Sequence, residues 1–195
     1  MKKVILVGSI LLVAVLSTAC INKWAVQDLN NKAMIYADKG DYTQAIERLK
    51  SSIDLDPTIF ETHYNLAIVY TKAQDYVNAV EEYKKVIEMQ PNNADSYYSL
   101  GTAENNLAVD INKGIVRMNS DGSLYSPKPE DIDYSKKVEL SDDEKAFVKE
   151  LYDSAVANYE KYLELSPDAK DKADVETQIQ KIYEIQHPIP QNSGV

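Results

Sequence analysis

VQDLNNKAMIYADKGDYTQAIERLKSSIDLDPTI (26–59) is followed directly by FETHYNLAIVYTKAQDYVNAVEEYKKVIEMQPNN (60–93), and the two stretches align without a gap. Tyr36 and Tyr70, Tyr42 and Tyr76, Ala45 and Ala79, and Pro57 and Pro91 recur at one common interval, the length of each stretch. Ala33, Ala67 and Gly101 continue the interval into a third unit, as do Leu66 and Leu100. A fixed period of about 34 residues marks a stacked-repeat architecture, in which each supersecondary unit buries its apolar face only against its neighbours. Apolar positions recur within each unit at helical spacing. Small residues at Ala33 and Ala45 let two antiparallel helices approach closely. Tyr36, Ile46 and Leu49 fill the space between successive helices, and Pro57 ends the second helix.

Working outward, the third unit is split. ADSYYSLGTAENNL (94–107) reads as its first helix, with Asn93 as N-cap. The matching second helix comes much later, at Ala155, Tyr159, Tyr162, Leu163, Leu165 and Pro167. Pro167 follows Pro91 at more than twice the repeat interval, so 108–149 is an insertion. Within it, Ser141-Asp142-Asp143-Glu144 has the form of a capping box, which starts a helix at 142 that is about two turns longer than its counterparts. Residues 114–126 read as a short hairpin around Asn119-Ser120-Asp121-Gly122. Ser126-Pro127-Lys128-Pro129 reads as a linker. A long insertion in a compact array is either functional or mobile, and a flap beside the binding groove is the expectation here. DAKDKADVETQIQKIYEIQH (168–187) reads as one more amphipathic helix on Val175, Ile179, Ile182 and Tyr183. It lacks the small residues of the repeat, which suits a terminal cap. Residues 188–195 read as a frayed tail.

The two complete units resemble tetratricopeptide repeats (TPR). The pattern is carried by Ala33/Ala67, Tyr36/Tyr70, Gly40/Gln74, Tyr42/Tyr76, Ala45/Ala79 and Pro57/Pro91. The resemblance implies an all-α fold: a right-handed superhelix of antiparallel helix pairs, with repeats 26–59, 60–93 and 94–107 plus 150–169, an insertion at 108–149 and a capping helix at 170–187, all within a domain spanning 26–187. It further implies that certain first-helix positions face a concave groove. Carried over by repeat position, the partner-binding residues are Asn30, Met34, Tyr64, Asn65, Ile68, Lys72, Tyr98, Thr102 and Asn105, with Gln27, Asn31, Asp38, Glu61, Asp95 and Ser99 beside them. Two rigid aromatics over amide and hydroxyl side chains suit a peptide or helix ligand. An equally open reading is that Tyr64 and Tyr98 only shield neighbouring helices. Repeats that grip a C-terminal carboxylate use Lys and Arg at positions held here by Asn30, Asp95 and Ser99. A neutral or basic ligand is therefore expected.

The chain begins MKKVILVGSILLVAVLSTAC. Lys2 and Lys3, an apolar run from Val4 to Leu16, and the small residues Ser17-Thr18-Ala19 form a secretory leader. Val4 to Ala19 is shorter than the ~20 residues that span a bilayer as a helix. Cys20 is the single cysteine, and a lone thiol in a secreted chain calls for an explanation other than an internal disulfide. The segment resembles a bacterial lipoprotein signal, although Leu16 stands one place further from Cys20 than is usual. That resemblance implies cleavage after residue 19, lipidation at Cys20 and a short tether over 20–25. Ile21 and Asn22 after the cysteine imply the outer membrane, facing the periplasm, in a bacterium with two membranes. Trp24, an amphipathic ring close to the anchor, either sits in the membrane interface or packs on the first helix pair.

Charge and the other polar residues exclude more than they add. The net charge is −10, and loss of Lys2 and Lys3 with the leader takes it to −12. No basic run interrupts this, which argues against nucleic acid as a partner. The two histidines, His63 and His187, have no metal-ligand spacing. Asp110, Asn112, Asn119 and Asp121 do not have the spacing of a calcium loop. No cofactor, metal or catalytic constellation is expected. The function expected is a lipid-anchored scaffold or adaptor for other envelope proteins, with self-association left open. The alternative is a small-ligand carrier or transport accessory, with its ligand in the groove or under the insertion.

Overall fold

The computed structural model describes residues 23–133 and 135–188. The leader, Cys20 and the tail beyond Pro188 lie outside the described residues. Among those described, no helix is long and apolar enough to cross a membrane. The chain divides into two compact units, one reaching to Asp75 and one starting at Tyr76.

The first unit holds α1 (23–38), α2 (Tyr42–Leu55) and α3 (Phe60–Lys72). Trp24, at the start of α1, is 70% exposed and does not join the core. Asp41 caps α2 by accepting from the Gln44 amide at 3.1 Å, satisfying one of the donors a helix start leaves open. Ala33, Ala45 and Ala67 are fully buried, as their size requires at helix contacts. In the turn closing α1, the Asp41 amide donates to Tyr36 O (2.9 Å) and the Gly40 amide to Ala37 O (3.0 Å). This pair of hydrogen bonds needs a left-handed residue, and Gly40 supplies it at φ 78°. The turn closing α3 repeats it: Asp75 amide to Tyr70 O, Gln74 amide to Thr71 O, with Gln74 at φ 61°.

The second unit holds α4 (Tyr76–Met89), α5 (Ala94–Asn112), a hairpin of β1 (Arg117–Met118) and β2 (Leu124–Tyr125), a 3₁₀ turn at Pro129–Asp131, α6 (Asp142–Leu165) and α7 (Lys172–Gln186). Asn93 caps α5 by accepting from the Ser96 amide. Gly101, the counterpart of Ala33 and Ala67, marks a close approach of α5 to α6. A Cβ built there would lie 3.0 Å from Ala155 O and 3.2 Å from the Tyr159 ring.

The third helix pair differs from the sequence expectation. The first helix does not end at Leu107 but runs on to Asn112, because Ala108 and Ile111 continue its buried face. Its end is the same capped turn, moved outward: Ile115 amide to Asp110 O, Gly114 amide to Ile111 O, Gly114 at φ 73°. The counterpart of Lys72 is Asn106, so the extra length of α5, 19 residues against 13 in α3, lies at its C-terminal end. The counterpart of Tyr42 and Tyr76, which open α2 and α4, is Tyr152. The extra length of α6, 24 residues against 14 in α2 and α4, therefore lies at its N-terminal end. At about 1.5 Å per residue the two arms gain about 9 and about 15 Å. The connecting segment is thereby confined to 113–141.

That segment is pinned at one point. Ser141 and Glu144 form the expected capping box: the Ser141 hydroxyl accepts from the Glu144 amide, and the Glu144 carboxylate accepts from the Ser141 amide. The same carboxylate, 1% exposed, also receives Arg117 Nε at 2.7 Å, a second guanidinium nitrogen at 3.1 Å, and the Met118 amide at 3.1 Å. Burial alone would raise its pKa. The guanidinium and the two backbone amides outweigh that and hold it down at about 2. β1 and β2 pair antiparallel, Arg117 opposite Tyr125 and Met118 opposite Leu124.

At the far end, Tyr162 donates to Asp171 at 2.7 Å, tying α6 to the residue preceding α7. Its hydroxyl is pushed up to about 12 by that carboxylate, helped by burial. α7 buries Val175 and Ile182, but Tyr183 is 42% exposed and does not join the buried stripe.

Candidate interaction face

Within the first unit, Asn30 sits at the meeting point of three helices. Its two amide protons are shared among Val26 O (2.9 Å), Ser52 Oγ (2.8 Å) and Thr62 Oγ1 (3.0 Å), and its oxygen accepts from Asn65 Nδ2 at 2.9 Å. Asn30 therefore acts first as a structural tie. The tie exists because Ser52, where the next repeat has Val86, is a buried hydroxyl that requires a partner. Met34, Tyr64 and Ile68 are half-buried. Lys72 and Asp38, one repeat apart and both exposed, form an ion pair at 3.5 Å. Val26, Gln27, Asn30, Glu61, Thr62 and Asn65 border a depression of about 500 Å³.

Within the second unit, Tyr98 is 37% exposed. Its ring centroid lies 5.7 Å from that of Tyr159 and 5.3 Å from that of Tyr162, at tilts of 53° and 54°. Such tilted contacts are favourable for aromatic pairs. Thr102 donates to Tyr98 O at 3.0 Å, so its contact with the Tyr159 hydroxyl at 3.1 Å is donated by the tyrosine. Asn105 is half-buried. Tyr98 thus presents one edge outward while two rings behind it fix its orientation. Tyr159 and Tyr162 are legible in the sequence as second-helix positions of the repeat. Their part in bracing Tyr98 is not, because it depends on the register of α5 against α6.

The insertion joins α5 to α6 at the ends of their added turns. It leaves α5 after Asn112, about four turns or about 21 Å along the helix from Tyr98, and it is held at Glu144.

The histidines have structural partners. His63 is buried with Nε2 3.1 Å from Pro57 O, and His187 Nδ1 lies 3.2 Å from Tyr183 O. Among the described residues no group of three or more His, Cys, Asp or Glu is placed to hold a metal ion. Two buried carboxylates escape the sequence reading, Glu82 and Glu104; the more deeply buried, Glu104, is 1% exposed on the side of α5 that meets α6. Its carboxylate accepts from Ser154 Oγ and Asn158 Nδ2, both at 2.8 Å. The available signal is the i, i+4 pair of polar residues Ser154 and Asn158 on an otherwise apolar helix face.

A family model described as TPR repeat matches residues 33–74 and 69–103. No curated protein matches the chain. Among solved structures, the chain is similar to the Sgt2 TPR domain from Aspergillus fumigatus, with TM-score 0.59 and 16% identity over 87% of each chain. It is similar to the first TPR of Spaghetti (RPAP3) bound to the HSP90 peptide SRMEEVD, with TM-score 0.56 and 16% identity over 84% of this chain and 94% of that one. It is also similar to the TPR2B domain of yeast Sti1 in complex with pHsp70, with TM-score 0.56 and 13% identity over 83% and 98%. The chain carries TPR repeats, and its fold is the all-α TPR fold.

Proposed function

We propose that the protein is a lipid-anchored TPR adaptor that holds a peptide or helix of another cell-envelope protein on its first-helix positions. The observation that carries this reading is Tyr98: an exposed aromatic, oriented by two rings behind it, at the repeat position that Asn30 and Tyr64 occupy in the preceding units. A pre-oriented aromatic loses little freedom on binding, and such residues are the common energetic anchors of interfaces. One structural neighbour is bound to the acidic peptide SRMEEVD. Here Asp95 and Ser99 flank Tyr98 and the chain is strongly acidic, so the ligand is neutral or basic. Tyr64→Ala with Tyr98→Ala is expected to weaken capture of envelope proteins by the full-length chain at least tenfold, with little change in helix content. Intact capture would move the site elsewhere.

The anchor part of the reading rests on Cys20 behind its apolar leader. Cys20→Ser is expected to abolish fatty-acid labelling in cells and to release the chain from the envelope membrane. Unchanged labelling would end it.

A further inference from the structure

A second site lies within the unit that begins at Tyr76, on different helix faces from the positions above. α4, α5, α6 and the hairpin border a cavity of about 200 Å³. Its walls are apolar: Val80, Leu107 and Leu151 are buried, and Val77, Leu124 and Phe147 are half-buried. Leu124 belongs to β2, so the insertion supplies one wall, and the Arg117–Glu144 pair holds that wall in place. The space suits a single long side chain rather than a folded element.

The wall is interrupted by one charge. Glu104 borders the cavity, and both of its hydrogen-bond partners, Ser154 and Asn158, are neutral. No ion pair to Glu104 occurs among the described residues. A carboxylate has room for about four hydrogen bonds, so acceptor positions remain. Burial pushes its pKa up in spite of those two donors and of the through-space attraction of Lys84. Taking a carboxylate out of water without a directly bonded countercharge is costly, and a cation from outside would complete the pair. The rim carries Glu81 and Glu150, both exposed, against one cation, Lys84, which is exposed and not hydrogen-bonded to Glu104. With Glu104 charged, these four ionisable groups sum to a net negative charge.

We propose that this cavity receives one arginine or lysine side chain of a protein partner, its aliphatic stem against Val80, Leu107, Leu124 and Leu151 and its cationic head on Glu104. Apolar walls ending in a carboxylate match the two halves of a basic side chain. The narrow volume limits the site to one side chain, and the rim acids steer the approaching cation. This site stands apart from the groove reading, because none of its residues is among the first-helix positions assigned there.

The probe is N-propylguanidinium, titrated into the full-length chain in detergent micelles with Val and Leu methyl groups labelled for NMR. Saturable shifts are expected at Val80, Leu107, Leu124 and Leu151, with none at Leu49 or Val69. Glu104→Gln should weaken the affinity at least tenfold, and neutral N-propylurea should bind at least tenfold more weakly than the guanidinium. If Glu104→Gln unfolds, the surface variant Glu81→Gln/Glu150→Gln serves instead and should weaken binding about threefold. Absent shifts at those four residues, or an affinity untouched by these substitutions, overturns the proposal. Equal binding of the urea also overturns it, in favour of a purely apolar occupant.

Discussion

The pair α1–α2 and the pair α5–α6 are built on one repeat pattern and are closed by different means. The first is joined by the short segment 39–41, and its turn is complete once Gly40 turns left-handed. The second is joined by the long segment 113–141 and keeps the same left-handed cap at Gly114. Beyond that cap it needs a separate fastening, the Arg117–Glu144 pair with the Met118 amide. A tight turn is specified by one residue's backbone freedom. A long connection is specified only if some point along it gains enough energy to offset the freedom it loses.

The largest effect expected from breaking this contrast is at Glu144. Glu144→Ala takes the acceptor from two backbone amides and from the half-buried guanidinium of Arg117, which is expected to cost about 2–3 kcal/mol. Urea unfolding of the variant checks this. A cost below about 1 kcal/mol, the worth of an exposed pair, would mean that the hairpin is not fastened there. The pH dependence carries a definite sign. The folded pKa, about 2, lies below the ordinary value of 4.5. The contribution is therefore complete above about pH 4.5 and is lost as pH falls toward 2, roughly 3 kcal/mol in all. Glu104 is shifted upward, and its effect has the opposite sign: it withdraws stability as pH rises above the ordinary carboxylate range.

A smaller effect is expected at the contact the pairs share. Gly101→Ala gains about 1 kcal/mol of helix propensity, but its Cβ meets Ala155 O, a backbone atom that yields only if the helices separate. A net loss of about 1–2 kcal/mol is expected. A rise in melting temperature would show that α5 and α6 can part without cost.

The smallest effect tests the turns themselves. Gln74 occupies the left-handed position that Gly40 and Gly114 fill with glycine. A side chain there costs about 1–2 kcal/mol, so Gln74→Gly is expected to stabilise the chain by about 1 kcal/mol in the same unfolding assay. A destabilised variant would mean that the Gln74 side chain contributes more than its backbone strain removes.

The repeat period suffices to place the helices because small residues, turn tyrosines and closing prolines recur at fixed places. It misplaces the end of α5, because the template of the earlier units stops at Leu107. The buried positions Ala108 and Ile111 and the cap at Gly114 show that this helix follows its own pattern instead. Ser141–Glu144 is legible as a capping box because both partners lie within one turn. Arg117, 27 residues from Glu144, is not, since nothing local ties the two. The candidate face is legible as a set of positions and not as a set of roles. Repeat position alone assigns Asn30 to a ligand, whereas the fold occupies it with Ser52, Thr62 and Asn65. Buried Glu104 gives no signal of its own, because a single carboxylate in a helix is ordinarily a solvated one.

The lengthened third pair also bears on the order in which the chain assembles. Thr102 and Tyr159 meet across 57 residues. Their counterparts, Met34 and Leu49, belong to consecutive helices joined by one tight turn. Loop-closure entropy grows only with the logarithm of length, so this wider search costs about 1 kcal/mol more. The first pair is thus expected to form early and the third to close late, onto helices already present. The penalty is small enough that a segment of this size can be threaded between two repeat helices while the array still folds.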